Sequence, residues 1–321
     1  MQYYIGIDIG GTKIAGALIM PHGRIINRIK ISTPKKVKPK DIYVCILDSI
    51  DELIRASGVR PAQIKGIGLG IPGIVDTHNA DILAAPNIHL TGYPLSRYLK
   101  RKFRLPVAMG NDVNCGLLAE AWLGAAKGLS DVAGVFPGTG VGGAVISSGR
   151  LLLGKQGAAT ELGHMIMDVH GPLCHCGNHG CLEALASRWA IERDIRALIK
   201  SGRKSVVAAL NHGKLAPIKS RVLKESLAKK DGVVTHVLTK AAGHLGQASI
   251  SLNHIFNPQA IVFGGGVIKA CGDFMLPIIR TTMLKDPFFK KFNTCRIIQS
   301  QLGDDAVPLG AVRLVQTPGN S

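Results

Sequence analysis

Two stretches of this chain follow one plan: a strand, a glycine turn carrying threonine, and a second strand. Near the start, Tyr3-Tyr4-Ile5-Gly6-Ile7 leads through Asp8-Ile9-Gly10-Gly11-Thr12-Lys13 into Ile14 to Ile19. The pattern predicts two β-strands closed by a tight turn, with a third strand near Arg24 to Ile31. Later, a strand at Val132 to Phe136 meets Gly138-Thr139-Gly140-Val141-Gly142-Gly143 and continues through Ala144 to Ser147. Such turns expose backbone N–H groups and a hydroxyl to an anion, and Asp8 at a strand end suits a hydrated Mg²⁺. One turn alone is as readily an ordinary hairpin. Two of them, one near the start of each half, predict a duplicated domain whose loops clamp a polyphosphate chain. Neither is a Walker loop or the dinucleotide fingerprint.

Between Glu161 and Glu183 the chain reads Glu161-Leu-Gly-His164, then Cys174-His175-Cys176-Gly-Asn-His179-Gly-Cys181-Leu-Glu183. Cys-x-Cys-x4-Cys places three soft donors in one short loop, which predicts a closed, structural zinc knuckle without an open position for water activation. Cysteines one residue apart pair poorly as a disulfide, and the chain has an odd total of seven. On spacing alone His164, His170, His175 and His179 compete as fourth ligand. Glu161, His164 and Glu183 bracket the knuckle, so a metal that fixes the loop also shapes a polar pocket.

Other features set the frame. An amphipathic helix is expected over Pro39 to Ala56, stopped by Gly58, with Ile42, Ile46, Leu47, Ile50, Leu53 and Ile54 as its core face. A strand over Ile64 to Ile71 ends at Pro72-Gly73, and Asn87 follows in a loop. Another strand, Leu105 to Met109, stops at Gly110-Asn111-Asp112 before a helix running to about Trp122. There Asp112 either caps the helix or acts as a general base with Asn111 beside it. After the knuckle a helix is expected from Cys181 to Lys200, a basic helical region toward Lys230, and a long helix from Thr235 to Phe256. A strand over Ala260 to Phe263 runs into Gly264-Gly265-Gly266, read as a third nucleotide-facing turn, and a last helix covers about 304–315.

The chain is long and apolar enough (46% hydrophobic) for a large core in two lobes. No segment offers the roughly 18 uninterrupted apolar residues of a membrane helix, no leader is evident, and scattered free cysteines fit a reducing interior, so the expected location is cytoplasmic. The formal charge of +18 attracts polyanions. Its clusters, Arg28 to Lys40, Arg97 to Arg104 and Arg196 to Lys240, are read mainly as solvated faces, the last having no aromatic platform for nucleic acid.

Taken together, Asp8-Ile-Gly-Gly-Thr-Lys, Gly110-Asn111-Asp112, Gly138-Thr-Gly-Val-Gly-Gly, Glu161-Leu-Gly-His164, the Cys174/Cys176/Cys181 knuckle with Glu183, and Gly264-Gly-Gly-Val resemble the ROK family of sugar kinases and sugar-responsive repressors. The resemblance runs from residue 6 to about 312. It implies an α/β, actin-like, hexokinase-type duplicated fold of two lobes with a cleft: residues 1–112 joined by the helix at about 304–316, and residues 113–303 with the knuckle. It implies an ATP-dependent kinase for the 6-hydroxyl of a hexose, with glucose the first expectation. N-acetylglucosamine, N-acetylmannosamine and other hexoses are the alternatives.

In that reading Asp112 is the base, and Asn87, Asn111, Glu161, His164 and Glu183 hold sugar hydroxyls. Asp8, Gly10, Gly11, Thr12, Lys13, Gly138, Thr139, Gly140 and Gly264 to Gly266 serve ATP and Mg²⁺. His164, Cys174, Cys176 and Cys181 bind structural Zn²⁺, which selects His164 among the histidines. Polyphosphate is an alternative donor and a homodimer the expected assembly; neither a membrane nor specific nucleic acid is an expected partner. A repressor would place a helix-turn-helix before the first glycine turn, where seven residues precede Asp8. Ser187-Arg188-Trp189 stands where the family usually has Ser-Gly.

Overall fold

A computed structural model describes residues 1–34, 38–77, 79–85 and 88–317. Strands β1 (Tyr3–Ile9), β2 (Lys13–Ile19) and β3 (Ile25–Ser32) precede helix α1 (Pro39–Ser57), β4 (Ile64–Ile71), the short strands β5 (Ile74–Asp76) and β6 (Asp81–Ala84), α2 (Leu95–Phe103), β7 (Val107–Asn111) and α3 (Asp112–Leu123). Then come β8 (Val132–Pro137), β9 (Val141–Ser147), β10 (Arg150–Leu151), α4 (Leu182–Ala186), α5 (Arg188–Lys200), α6 (Val207–Leu210), α7 (Ser220–Ala228) and α8 (Gly232–Phe256). The chain finishes with β11 (Ala260–Phe263), α9 (Gly265–Met283), β12 (Arg296–Gln299) and α10 (Ala306–Gln316).

Ten of the strands form two five-stranded sheets of one topology, β3-β2-β1-β4-β7 and β10-β9-β8-β11-β12, and β5 and β6 pair with each other. In the first, β1 is antiparallel to β2 and parallel to β4, which is parallel to β7. In the second, β8, β11 and β12 run parallel and β10 pairs antiparallel with β9. The same order drawn twice is the duplication that the two glycine turns announced. By contacts the chain divides into one unit of residues 1–130, 144–160 and Gln301 onward, and another of residues 131–143 and 161–300.

The first unit is built on a period of two in its central strands. In β1 the isoleucines at 5, 7 and 9 alternate with Gly6 and Asp8, and in β4 Ile67, Leu69 and Ile71 alternate with glycines, so successive residues face opposite sides of the sheet. Ile5, Ile7 and Ile9 join Ile67, Leu69 and Ile71 in a core closed by Ile42, Ile46, Ile50 and Leu53 of α1. Full burial of each such side chain contributes about 1.5–3 kcal/mol. The glycines leave the other face flat, and α10 lies on it. A Cβ at Gly6 would overlap the Pro308 carbonyl, and one at Gly68 the Ala311 carbonyl. Gly310 returns the fit, because a Cβ there would overlap the Cys115 carbonyl of α3. Fully buried Glu120 ties this end together: Oε1 accepts from the N–H groups of Gln301 and Leu302, each at 2.9 Å, and Oε2 from Ala125 at 2.8 Å.

In the second unit, α8 and α9 are long helices with broad buried faces. The helix expected from Cys181 to Lys200 is two helices. Ser187 breaks it with extended backbone and caps α5, its hydroxyl accepting from Ala190 at 3.2 Å; a side chain that bonds the backbone this way favours a new start over an interior turn. The glycine triplet at 264–266 is where α9 begins. Among the described residues no helix is long and apolar enough to cross a membrane.

Candidate functional site

In the first unit the chemistry gathers at the carboxyl ends of the parallel strands. Register puts Asp8, Gly70 and Gly110 in one lateral row across β1, β4 and β7. One step beyond that row lies Asn111, then Asp112 at the first position of α3. This is where open α/β sheets leave a crevice for ligands. Asn111 makes the helix cap: its Oδ1 accepts from Val113 at 2.8 Å and Asn114 at 3.1 Å, while its Nδ2 donates to the Gly73 carbonyl at 2.9 Å. Asp112 Oδ1 accepts from Val113 at 2.9 Å, and its carboxylate is near enough for its charge to act on Asp8. Burial pushes the Asp8 carboxyl up to about 6; the Asp112 charge adds to this, Lys13 opposes it, and Asp304 contributes least.

The first glycine turn is held at both edges. Gly10 N–H donates to the Lys13 carbonyl at 2.9 Å, and the Thr33 hydroxyl donates to the Gly10 carbonyl at 2.5 Å. Lys13 Nζ lies 3.1 Å from Asp304 Oδ2, which Lys30 also approaches at 3.6 Å, and Arg28 grips Asp305 with two bonds of 2.8 and 2.9 Å.

The second unit repeats the arrangement. β8 ends at the Gly138 turn and β11 at Gly264, on paired parallel strands. Gly138 N–H donates to the Gly140 carbonyl at 2.8 Å, closing the turn. Glu183 supports its far side, Oε2 accepting from Val141 N–H at 3.0 Å; any side chain at Gly140 would overlap that carboxylate. Arg188 binds the near side, Nη2 donating to the Thr139 hydroxyl at 2.8 Å.

The knuckle follows from Glu161. His164 ends a short 3₁₀ turn, its N–H donating to the Glu161 carbonyl at 2.9 Å. Two antiparallel bridges, Ile166 with Cys181 and Leu173 with His179, fold residues 164–181 onto themselves. Gly180, at φ 66°, lies so close to the Asp168 carbonyl that any Cβ would overlap it. The ligand atoms of His164, Cys174, Cys176 and Cys181 then fall within 4.8 Å of one another. Cys176 Sγ is 3.6 Å from Cys181 Sγ, and Cys174 Sγ is 3.8 Å from His164 Nδ1. Metal–thiolate bonds of about 2.3 Å put neighbouring sulfurs roughly 3.8 Å apart in a tetrahedron, so this donor set fits a tetrahedral cation.

Two of the competing histidines are engaged elsewhere: the His175 ring packs on Trp189 with centroids 4.4 Å apart, and His179 Nδ1 is 3.1 Å from the Gly171 carbonyl. Burial raises the Glu161 carboxyl above the usual range, His164 drawing it partly back and Glu183 adding to the rise.

With the two glycine turns, the strand-end carboxylates and the four-donor knuckle placed, the comparisons with known proteins are decisive. The ROK family profile matches residues 4–318. The chain belongs to the ROK family. A glucokinase of Halalkalibacterium halodurans is 32% identical over 321 residues, covering 100% of this chain and 97% of the glucokinase. A putative xylose repressor from a Caldicellulosiruptor species is 32% identical over 311 residues, 97% of this chain and 77% of the repressor. The Streptomyces griseus ROK glucokinase, solved with glucose and AMPPNP, shares 31% identity at a TM-score of 0.83, over 98% of this chain and 99% of its own. The ROK membership and these neighbours give the chain an actin-like, hexokinase-type fold, in agreement with its twice-drawn sheet.

The ROK motifs therefore fall into two groups. Asp8, Gly10, Gly11, Thr12, Lys13, Asn111 and Asp112 share one strand-end region of the first unit. Gly138, Thr139, Gly140, Glu161, His164, Glu183 and the cysteines share one region of the second, with Gly264 to Gly266 at the neighbouring strand end. Asn87 lies outside the described residues. Arg188 and Asp304 were given no role from sequence; neither lies inside a glycine or cysteine motif, and only the fold brings them to Thr139 and Lys13.

Proposed function

We propose that this protein is a hexose kinase that transfers the terminal phosphoryl group of ATP to a hexose 6-hydroxyl, with glucose as the expected substrate. The observation that carries the reading is Asp112, on the first turn of α3 beyond the carboxyl ends of β1, β4 and β7, in the field of Asp8. Asp112 takes the proton as the hydroxyl oxygen bonds to phosphorus and the bond to ADP breaks. Phosphoryl transfer gains most from alignment and charge neutralisation. Asp8 would hold Mg²⁺, which supplies that neutralisation when bound, and the glycine turns at 10–13 and 138–140 would take the phosphates. Asn87, Asn111, Glu161, His164 and Glu183 would hold the sugar. The knuckle takes Zn²⁺, a closed site that fixes His164 and Glu183 and leaves chemistry to Asp112. Near-complete mutual coverage with a glucokinase supports the kinase reading.

The test is ADP release from Mg·ATP across glucose, N-acetylglucosamine, N-acetylmannosamine, allose, mannose and fructose, repeated with polyphosphate. One hexose is expected to turn over, and Asp112→Asn should lower kcat by about 10²–10⁴ with hexose affinity retained. Turnover of the variant within tenfold of wild type would remove Asp112 as the base. The repressor relatives favour a second reading, a sugar-responsive regulator. It is the outcome if no hexose turns over while one still raises the melting temperature.

A further inference from the structure

Arg188 occupies an unusual place for a cation. It is the first residue of α5, where the helix dipole favours negative charge. None of the ion pairs among the described residues includes it. Yet the residue is held to the turn at two points. Its backbone N–H donates to the Gly138 carbonyl at 2.9 Å, and Nη2 donates to Thr139 Oγ1 at 2.8 Å. A guanidinium carries five N–H donors in a planar fork, and this bond uses one. It occupies one lone pair of the Thr139 oxygen and leaves the hydroxyl hydrogen to donate elsewhere. The turn at 138–140 thus carries a guanidinium beside a hydroxyl that can donate, with no carboxylate among the described residues in an ion pair with the guanidinium.

We propose that Arg188 binds the phosphate chain of the phosphoryl donor, working with Thr139 as a two-residue clamp. The inference rests on the kinase reading only for the identity of the donor. The chemistry recognised is a chain of phosphoanhydride oxygens, common to nucleoside triphosphates and inorganic polyphosphate. Arginine suits it because its fork meets two oxygens at once.

The probes are Mg·tripolyphosphate and Mg·ATP, titrated calorimetrically into wild type, Arg188→Gln and Arg188→Lys, with hexose turnover measured on the same preparations. Loss of a charged bidentate contact is expected to weaken tripolyphosphate binding by about 10- to 100-fold in the Gln variant. The Lys variant should recover part of the loss, and the salt dependence of binding should become shallower in the Gln variant alone. Hexose-induced stabilisation should not change. If ATP weakens as much as tripolyphosphate, the clamp serves both donors; if tripolyphosphate weakens alone, it serves the polyphosphate chain. Should Arg188→Gln not fold, Thr139→Val carries the test with a smaller loss in the same direction. Tripolyphosphate and ATP affinities within twofold of wild type in the Gln variant overturn the proposal, as does a wild type that binds neither probe. Arg188-dependent phosphate binding without hexose turnover would keep the clamp and discard the kinase reading; turnover with Arg188-independent binding would do the reverse.

Discussion

At the scale of single residues, Asp8 and Glu120 show how differently two carboxylates can be used. In the folded protein Asp8 holds its proton up to about pH 6, against 3.8 ordinarily. Between these values the folded state binds more protons than the unfolded one, so stability falls as pH rises through that window. Metal-free Asp8→Asn should lose this slope and exceed wild type above pH 6; urea midpoints taken from pH 4 to 7 would check it, and a parallel decline in both proteins would count against it. Glu120 is instead saturated by three backbone N–H groups. Glu120→Ala strands all three and should cost more than about 3 kcal/mol, read from the same midpoints. The two residues were not equally legible. Asp8 stands inside a motif with a stated chemistry, whereas Glu120 is one glutamate in an ordinary helix until the fold delivers residues 301–302 to it. Asn111 and Asp112 posed a subtler case: both residue types cap helices, and only the extended backbone of Asn111, with ψ 142°, assigns the cap to it and leaves Asp112 to the next position.

Among the elements, α10 and the knuckle make the strongest demands. Because a Cβ at Gly310 would overlap the Cys115 carbonyl, Gly310→Ala must push α10 off α3. A loss of about 1–3 kcal/mol is expected, with a lowered melting temperature; a neutral outcome would mean that the helix slides freely. Cys176→Ser should abolish stoichiometric zinc in metal analysis and lower both melting temperature and hexose affinity. Unaltered hexose affinity in the metal-free variant would uncouple the knuckle from the sugar. Several strands were legible, β1 and β4 from alternation and β11 from a short apolar run, whereas β5, β6 and β12 left no such signal. Helix limits were harder. Ser187 divides an apolar pattern that otherwise runs unbroken from Leu182 to Ile199, and the glycines at 264–266 read as a turn while serving as the cap and first two residues of a 19-residue helix. Local pattern reports a face; it does not report where a cap interrupts it.

For the molecule as a whole, the twofold occurrence of one glycine turn made the duplication visible, but the order of strands was not, since pairing across long intervals leaves no local trace. The surplus of 39 Lys and Arg over 21 Asp and Glu acts at this scale too. Such a charge opposes compaction through self-repulsion, and screening shortens its reach to about 8 Å at 0.15 M salt. The melting temperature should therefore climb between low salt and physiological ionic strength, equally in NaCl and KCl; a flat response would show that the cations are already compensated. The return of α10 to the sheet begun by β1 also gives the chain a timetable. The helix that covers Gly6 and Gly68 is made after residues 131–143 and 161–300. The sheet begun by β1 therefore completes its packing only with a segment separated from it in sequence by the whole second unit, so the first unit cannot finish folding from its N-terminal residues alone.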